Sequence, residues 1–356
     1  MDTTVMRAGT ADVIAYVFYT LGYRPRESLV LVGLQGPRRR IGMCVRMDLP
    51  PSRDVRRPLE QALTALRQHG DDAVIVLVVS DRQVRGKVDP CRPPHAYLAR
   101  DVRRRLMAAG VRVWDVLAVG PSTYRSYLCP EPNCCPAEGR PLAEATGGAL
   151  AAWMISHGRS VAPDEASVLE FVEPTVSPDP RQAGPTLLSG SAEESLRRWR
   201  ALLHDGSPSW SSPEPASRGE FPDVRWLADA LQDHWFRDAV LLTLVPDAET
   251  VADEALCGVD AAAMDGLFDK PPDDDLLQRG TALLAAVART APPGQRADAL
   301  ALLAWASWWA GEGARGRLLA ARALADQPAH TLAALVDQLL FVGVPPGWAS
   351  RRSRAG

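Results

Sequence analysis

Lysine is almost absent from this chain: Lys87 and Lys270 are the only two among 40 basic residues. With abundant Ala, Gly and Pro, the arginine bias reads as GC-rich coding, not as arginine-specific chemistry. Acidic residues number 43 and the net charge is −3, so no overall field draws the chain to nucleic acid or to an acidic membrane surface. Histidine is scarce, six dispersed residues, which excludes a histidine-rich metal centre. Long apolar runs are missing as well. No window approaches the roughly 18 to 20 apolar residues that span a bilayer. Residues 1–10 lack the cationic start and apolar stretch of a signal peptide. The expectation is a cytoplasmic protein with reduced cysteines and no membrane contact. Absent too are the phosphate-binding Gly-x-x-x-x-Gly-Lys-Ser/Thr loop, Gly-x-Gly-x-x-Gly, His-Glu-x-x-His and the Gly-x-Ser-x-Gly elbow.

What is present fits two domains in 356 residues, 46% hydrophobic and 23% charged. Residues 11–21 have helical spacing, with Thr10 as N-cap and Gly22 as stop. Strands follow at 28–34 and 41–49 across a Gly36-Pro37 turn, giving an antiparallel hairpin. Residues 55–69 form an amphipathic helix with Leu59, Leu63 and Leu66 on one face. The unbroken apolar run 73–79 predicts a strand buried on both faces. A polar loop at 81–94, a helix at 95–109, strands at 111–119 and 123–129, and a helix at 143–157 complete residues 1–160. The alternation predicts an α/β domain with a mixed, mainly parallel sheet, strands two, three and four being parallel.

Residues 161–190 are rich in Pro, Ser, Glu and Asp and are read as a linker. From 191 to 345 every apolar pattern is helical, opening on the capping box Ser191-Ala-Glu-Glu194; 346–356 is read as a disordered tail. The C-terminal region is therefore all-α, a helical bundle or tetratricopeptide-like hairpins. Leu300, Leu303, Ala304, Gly316, Ala320, Ala323 and Pro328 carry that spacing, their small residues permitting close helix approach.

Parallel strands place ligands at their carboxyl ends. Asp48, Asp81 and the Gly120 turn fall there, joined by Ser28 at the start of the first strand. Two carboxylates on one edge suit a cation or acid–base work, although capping alone accounts for both aspartates. Cys91 and His95 sit on the loop that could swing to this edge. Cys129, Cys134 and Cys135, spaced Cys-x4-Cys-Cys, are expected at the opposite edge. Packed thiols are the first reading and a redox pair another. Zinc stands between these two: it wants four ligands, adjacent cysteines point at one ion with difficulty, and a fourth would come from elsewhere, for example His157. No resident cofactor is otherwise expected. Arg100, Arg103, Arg104 and Arg105 form a basic patch without aromatic interleaving, a solvated face and not a nucleic-acid surface.

Four stretches together resemble a known family: residues 11–36 (ADVIAYVFYTLGYRPRESLVLVGLQG), 45–50 (VRMDLP), 127–142 (YLCPEPNCCPAEGRPL) and 300–335. They are similar to the bacterial domain-of-unknown-function family 4192. The resemblance implies an actinobacterial, cytoplasmic protein, and brings no catalytic residue, cofactor or substrate. Two functions follow as expectations. One is a non-enzymatic interaction or regulatory module whose helical region docks a protein; Trp305, Trp308 and Trp309 are read first as core or inter-helix packing, and a partner groove with some of them exposed is the sharper alternative. The other is an enzyme or small-ligand binder at the strand-end edge.

Overall fold

A computed structural model describes residues 9–50, 55–82, 84, 93–174, 191–204, 224–258 and 266–349. The chain divides into two compact units between Ser167 and Val168.

The first unit is built from α1 (Thr10–Leu21), β1 (Ser28–Gln35), β2 (Arg40–Asp48), α2 (Arg56–His69), β3 (Ala73–Val79), α3 (Ala96–Ala108), β4 (Arg112–Val119), β5 (Thr123–Ser126), β6 (Arg140–Pro141), α4 (Ala143–Thr146) and α5 (Ala149–Ser156). The strands form one sheet in the order β2-β1-β3-β4-β5-β6. Only β3 and β4 pair in parallel, so the sheet is mainly antiparallel, contrary to the sequence expectation. The reason is where β1 lies. It pairs antiparallel with β2 on one side and with β3 on the other. Strands β2, β3 and β4 do point the same way, as read from the alternation, but the hairpin partner separates the first two.

Strand β3 is apolar throughout, and β1 carries no polar side chain from Leu29 to Leu34, because neither face of these strands meets water. Leu29, Leu31, Val74, Val76 and Val78 pack with Leu59, Leu66, Val102 and Leu106 of α2 and α3. On α1, Ala15 and Tyr19 pack with Ala151 of α5. Thr10 is the first helical residue and not the cap; Gly9 holds that place, its N–H donating to Asp12 Oδ2 at 2.8 Å. Residues 161–174, expected in the linker, are folded: Ala162 exchanges backbone hydrogen bonds with Gly22 and Arg24, and Val172 lies in the core of the second unit. The rest of the expected linker, 175–190, lies outside the described residues.

The second unit is helical: α6 (Ala192–His204), α7 (Arg225–Ala230), α8 (His234–Leu242), α9 (Glu249–Ala255), α10 (Asp274–Thr290), α11 (Ala297–Trp309), α12 (Gly313–Asp326) and α13 (Thr331–Phe341). The Ser191 hydroxyl accepts the Glu194 N–H at 3.3 Å, the first half of the expected capping box. Helix α11 is buried all round, Asp298 and Ser307 included, and is packed by α10, α12 and α13. Gly316 lets α12 ride on α11, since a Cβ there would meet the Ala304 carbonyl at 2.9 Å. A buried polar link crosses this core: His330 Nε2 lies 2.8 Å from Asp298 Oδ1, and His330 Nδ1 accepts the Ala333 N–H that opens α13. The chain stays packed past residue 346, where the tail was expected to begin. Trp348 donates its indole N–H to the Trp309 carbonyl at 2.9 Å.

Candidate functional site

The register brings the expected strand-end residues to one edge, Ser28 standing opposite Asp48 on one side and Val79 on the other. Each is held by its own partners. Arg46 binds Asp48 at 2.9 Å and donates from Nε to Ser28 Oγ at 3.0 Å, while the Ser28 hydroxyl itself donates to the Arg26 carbonyl. Asp81 is held by both Nε and an η-nitrogen of Arg26 and lies below the usual carboxylate range because of that guanidinium. Each acid thus has its own arginine, and the Asp48 side chain is 81% exposed.

Beside them lies a cluster that the strand pattern only half announced. Ser80, the residue after β3, is buried. Its hydroxyl meets Glu27 Oε1 at 2.9 Å, His95 Nε2 at 3.2 Å and the Arg82 N–H at 3.2 Å. A serine hydroxyl has one proton to give and two lone pairs, so these three partners saturate it. Glu27 also accepts the Asp81 N–H, and burial keeps His95 below its ordinary range against the pull of Glu27. Both Glu27 (φ 37°) and His95 (φ 61°) sit in the left-handed region, strain that the cluster holds in place. The expectation that His95 reaches this edge is met. Cys91 lies outside the described residues.

A second chemical concentration is buried at the opposite end of β3. Asp71 points into the sheet between Gly33 and Gly42, its Oδ2 accepting the Met43 N–H and lying 3.3 Å from His69 Nδ1. His69 is raised from its ordinary pKa, first by its hydrogen bond to Asp71. A proton bound more tightly in the folded chain stabilises the fold below the unfolded value of about 6.5, and this contribution disappears as pH rises through the folded value. His69→Ala should therefore lower the melting temperature most near about pH 5.5, the gap closing as pH rises. A gap independent of pH would contradict the pairing.

One cavity of about 460 Å³ opens on the first unit, lined on α1 by Ala15, Phe18 and Tyr19 and on the α5 side by Ile155, Val161 and Pro163. Arg24 and Arg159 also line it, and no carboxylate does. Arg24 donates to the carbonyls of Gly120 and Pro121, anchoring it to the turn after β4 without neutralising its charge. Nothing in the sequence marked this cavity, because its wall combines residues over a hundred positions apart.

The cysteine loop follows β5. The buried Ser126 hydroxyl donates to Asp115 Oδ1 at 2.5 Å and accepts from the N–H groups of Leu128 and Cys129, turning the chain back at once. Glu131 O accepts from both Cys134 N–H and Cys135 N–H, and β6 then pairs with β5. The loop thus lies between two paired strands, β5 and β6. Its three sulfurs lie within 4.8 Å of one another, those of Cys134 and Cys135 at 4.0 Å. Adjacent cysteines do converge here, against the sequence expectation. His157 is not among them; its ring stacks on Trp153 at 4.1 Å.

In the arginine patch, Arg104 and Arg105 both pair with Asp101 on their own helix. Trp305, Trp308 and Trp309 are all buried, at 7%, 9% and 0% exposure, in agreement with the core reading and against the groove reading. No described helix is long and apolar enough to cross a membrane.

Fold and sites define a two-unit α/β-plus-helical protein with a cation-rimmed cavity and a three-thiol loop. The chain belongs to the family described as Domain of unknown function (DUF4192), which matches residues 11–347. No curated protein and no solved structure matches it.

Proposed function

We propose that this protein is a non-enzymatic regulatory module whose α/β unit binds a small amphipathic anion, an apolar body carrying a carboxylate or phosphate. The observation that carries the reading is the cavity lining: apolar walls of ligand-sized volume with two arginines and no acid. Phe18, Tyr19, Ile155 and Val161 suit the apolar body, and Arg24 and Arg159 suit the charge. The strand-end edge supports a scaffold role and not catalysis, since Ser80 is saturated and Asp48 and Asp81 are each paired.

The cytoplasmic location, the actinobacterial source and the tetratricopeptide-like arrangement of residues 300–328 belong to the same proposal. What supports the last is the Gly316 approach to Ala304. A protein partner at the helical unit has a narrower basis: Leu335, Phe341, Val342 and Val344 are exposed apolar side chains around the end of α13.

Calorimetric titration of the full chain with decanoate tests the reading. Saturable binding of one decanoate per chain is expected. Arg24→Met with Arg159→Met should weaken it about tenfold or more, the worth of one charge-assisted hydrogen bond. No binding, or binding indifferent to both arginines, would contradict it.

A further inference from the structure

The thiols of Cys129, Cys134 and Cys135 converge for a reason that packing does not supply. Free cysteines that behave as small hydrophobes are buried, yet Cys134 is exposed and Cys129 only part-buried. A disulfide would need two sulfurs about 2.05 Å apart and would leave the third unmatched. The described cysteines are all free, and the adjacent pair stands at 4.0 Å. Three sulfurs on a tetrahedral zinc, each about 2.3 Å from the metal, lie about 3.8 Å from one another. The observed set, within 4.8 Å throughout, reaches that spacing by rotations that move each sulfur about 1 Å or less.

The surrounding loop is built to hold this arrangement. Ser126 fixes the backbone at Cys129, and the Glu131 carbonyl gathers the N–H groups of Cys134 and Cys135 into one turn. The buried arginine next to Ser126 on the strand, Arg125, donates to the Ala137 carbonyl at 3.1 Å and ties the far side of the turn to β5.

We propose that Cys129, Cys134 and Cys135 bind one zinc ion through three thiolates, leaving the fourth coordination position open to an exogenous ligand. Binding is an acid–base exchange. Each S–H gives its proton to solvent as the S–Zn bond forms, and no electrons are transferred. No fourth Cys, His, Asp or Glu joins the three among the described residues, and sites with three protein ligands keep their last position for water or substrate. The exposure of Cys134 leaves that position reachable. This site is independent of the cavity proposed for the anion, and either can fail alone.

Elemental analysis of the full chain, purified under reducing conditions without chelator, should find about one zinc per chain. Cobalt(II) added to the metal-free protein should give a thiolate-to-cobalt charge-transfer band that zinc abolishes. Cys134→Ser changes an exposed side chain, so the fold should survive, shown by a melting temperature equal to that of metal-free wild type. Its zinc affinity, measured against a chromophoric chelator, should fall by more than the about 100-fold that loss of an outer-shell partner can cost. Reduced protein that holds no zinc and gives no cobalt band would overturn the proposal. So would copper in place of zinc, or a mass two hydrogens low that marks a disulfide within the loop.

Discussion

Trp309→Ala is expected to cost about 3 to 5 kcal/mol in a denaturant titration, the range for truncating a large buried aromatic. Trp309 is fully buried at the end of α11 and stacks 5.3 Å from Trp305, with Phe268 edge-on at 6.0 Å. Its indole N–H donates to the Lys270 carbonyl at 3.2 Å, and its own carbonyl receives Trp348. Truncation would open a cavity between α11 and the segment before α10 and leave the Lys270 carbonyl without this donor. Trp235, 42% exposed, provides the contrast, and its replacement by alanine should leave stability almost unchanged. If Trp309→Ala were as mild as Trp235→Ala, the tryptophan-rich helix would not be the core of the second unit.

Gly42→Ala should be nearly as damaging to the first unit. The Asp71 carboxylate occupies the space above Gly42 on β2 and Gly33 on β1, and a Cβ built on either glycine would fall inside it. Asp71 is buried and tied to Met43 and His69, so it has no free route out. Overpacking of this kind costs about 1 to 3 kcal/mol. The cause is separable: Asp71→Gly empties the hollow, so most of the Gly42→Ala loss should vanish in the double variant. A loss that persists without Asp71 would mean that Gly42 is required by the strand and not by the carboxylate.

How far these features were legible in the sequence depends on the range of the contact. Local patterns worked. The hairpin, the doubly buried β3, the Ser191–Glu194 N–H contact and the small residues of α12 all depend on neighbours a few positions apart or on periodicity. The sheet order did not follow, because nothing in β1 states that it pairs with β3 as well as with β2. At the candidate sites, Ser28, Asp48 and Asp81 were placed on the right edge, but their arginine partners were invisible. Arg46 lies on the neighbouring strand, and Arg26 is 55 positions from Asp81. The three cysteines were legible as a group. Their convergence was not, since it depends on Ser126 and the Glu131 carbonyl. For Trp305, Trp308 and Trp309 the sequence offered a groove beside the first reading of core packing, and the burial of every residue of α11 leaves the core.

The central claim is that the binding function resides in the α/β unit and not in the helical one. Hydrogen–deuterium exchange of the full chain, with and without saturating decanoate, tests it most directly. Protection is predicted in α1 and in residues 145–163, which supply the cavity wall, with exchange in α11 to α13 unchanged. Protection confined to the helical unit, or none in either unit, would contradict the account.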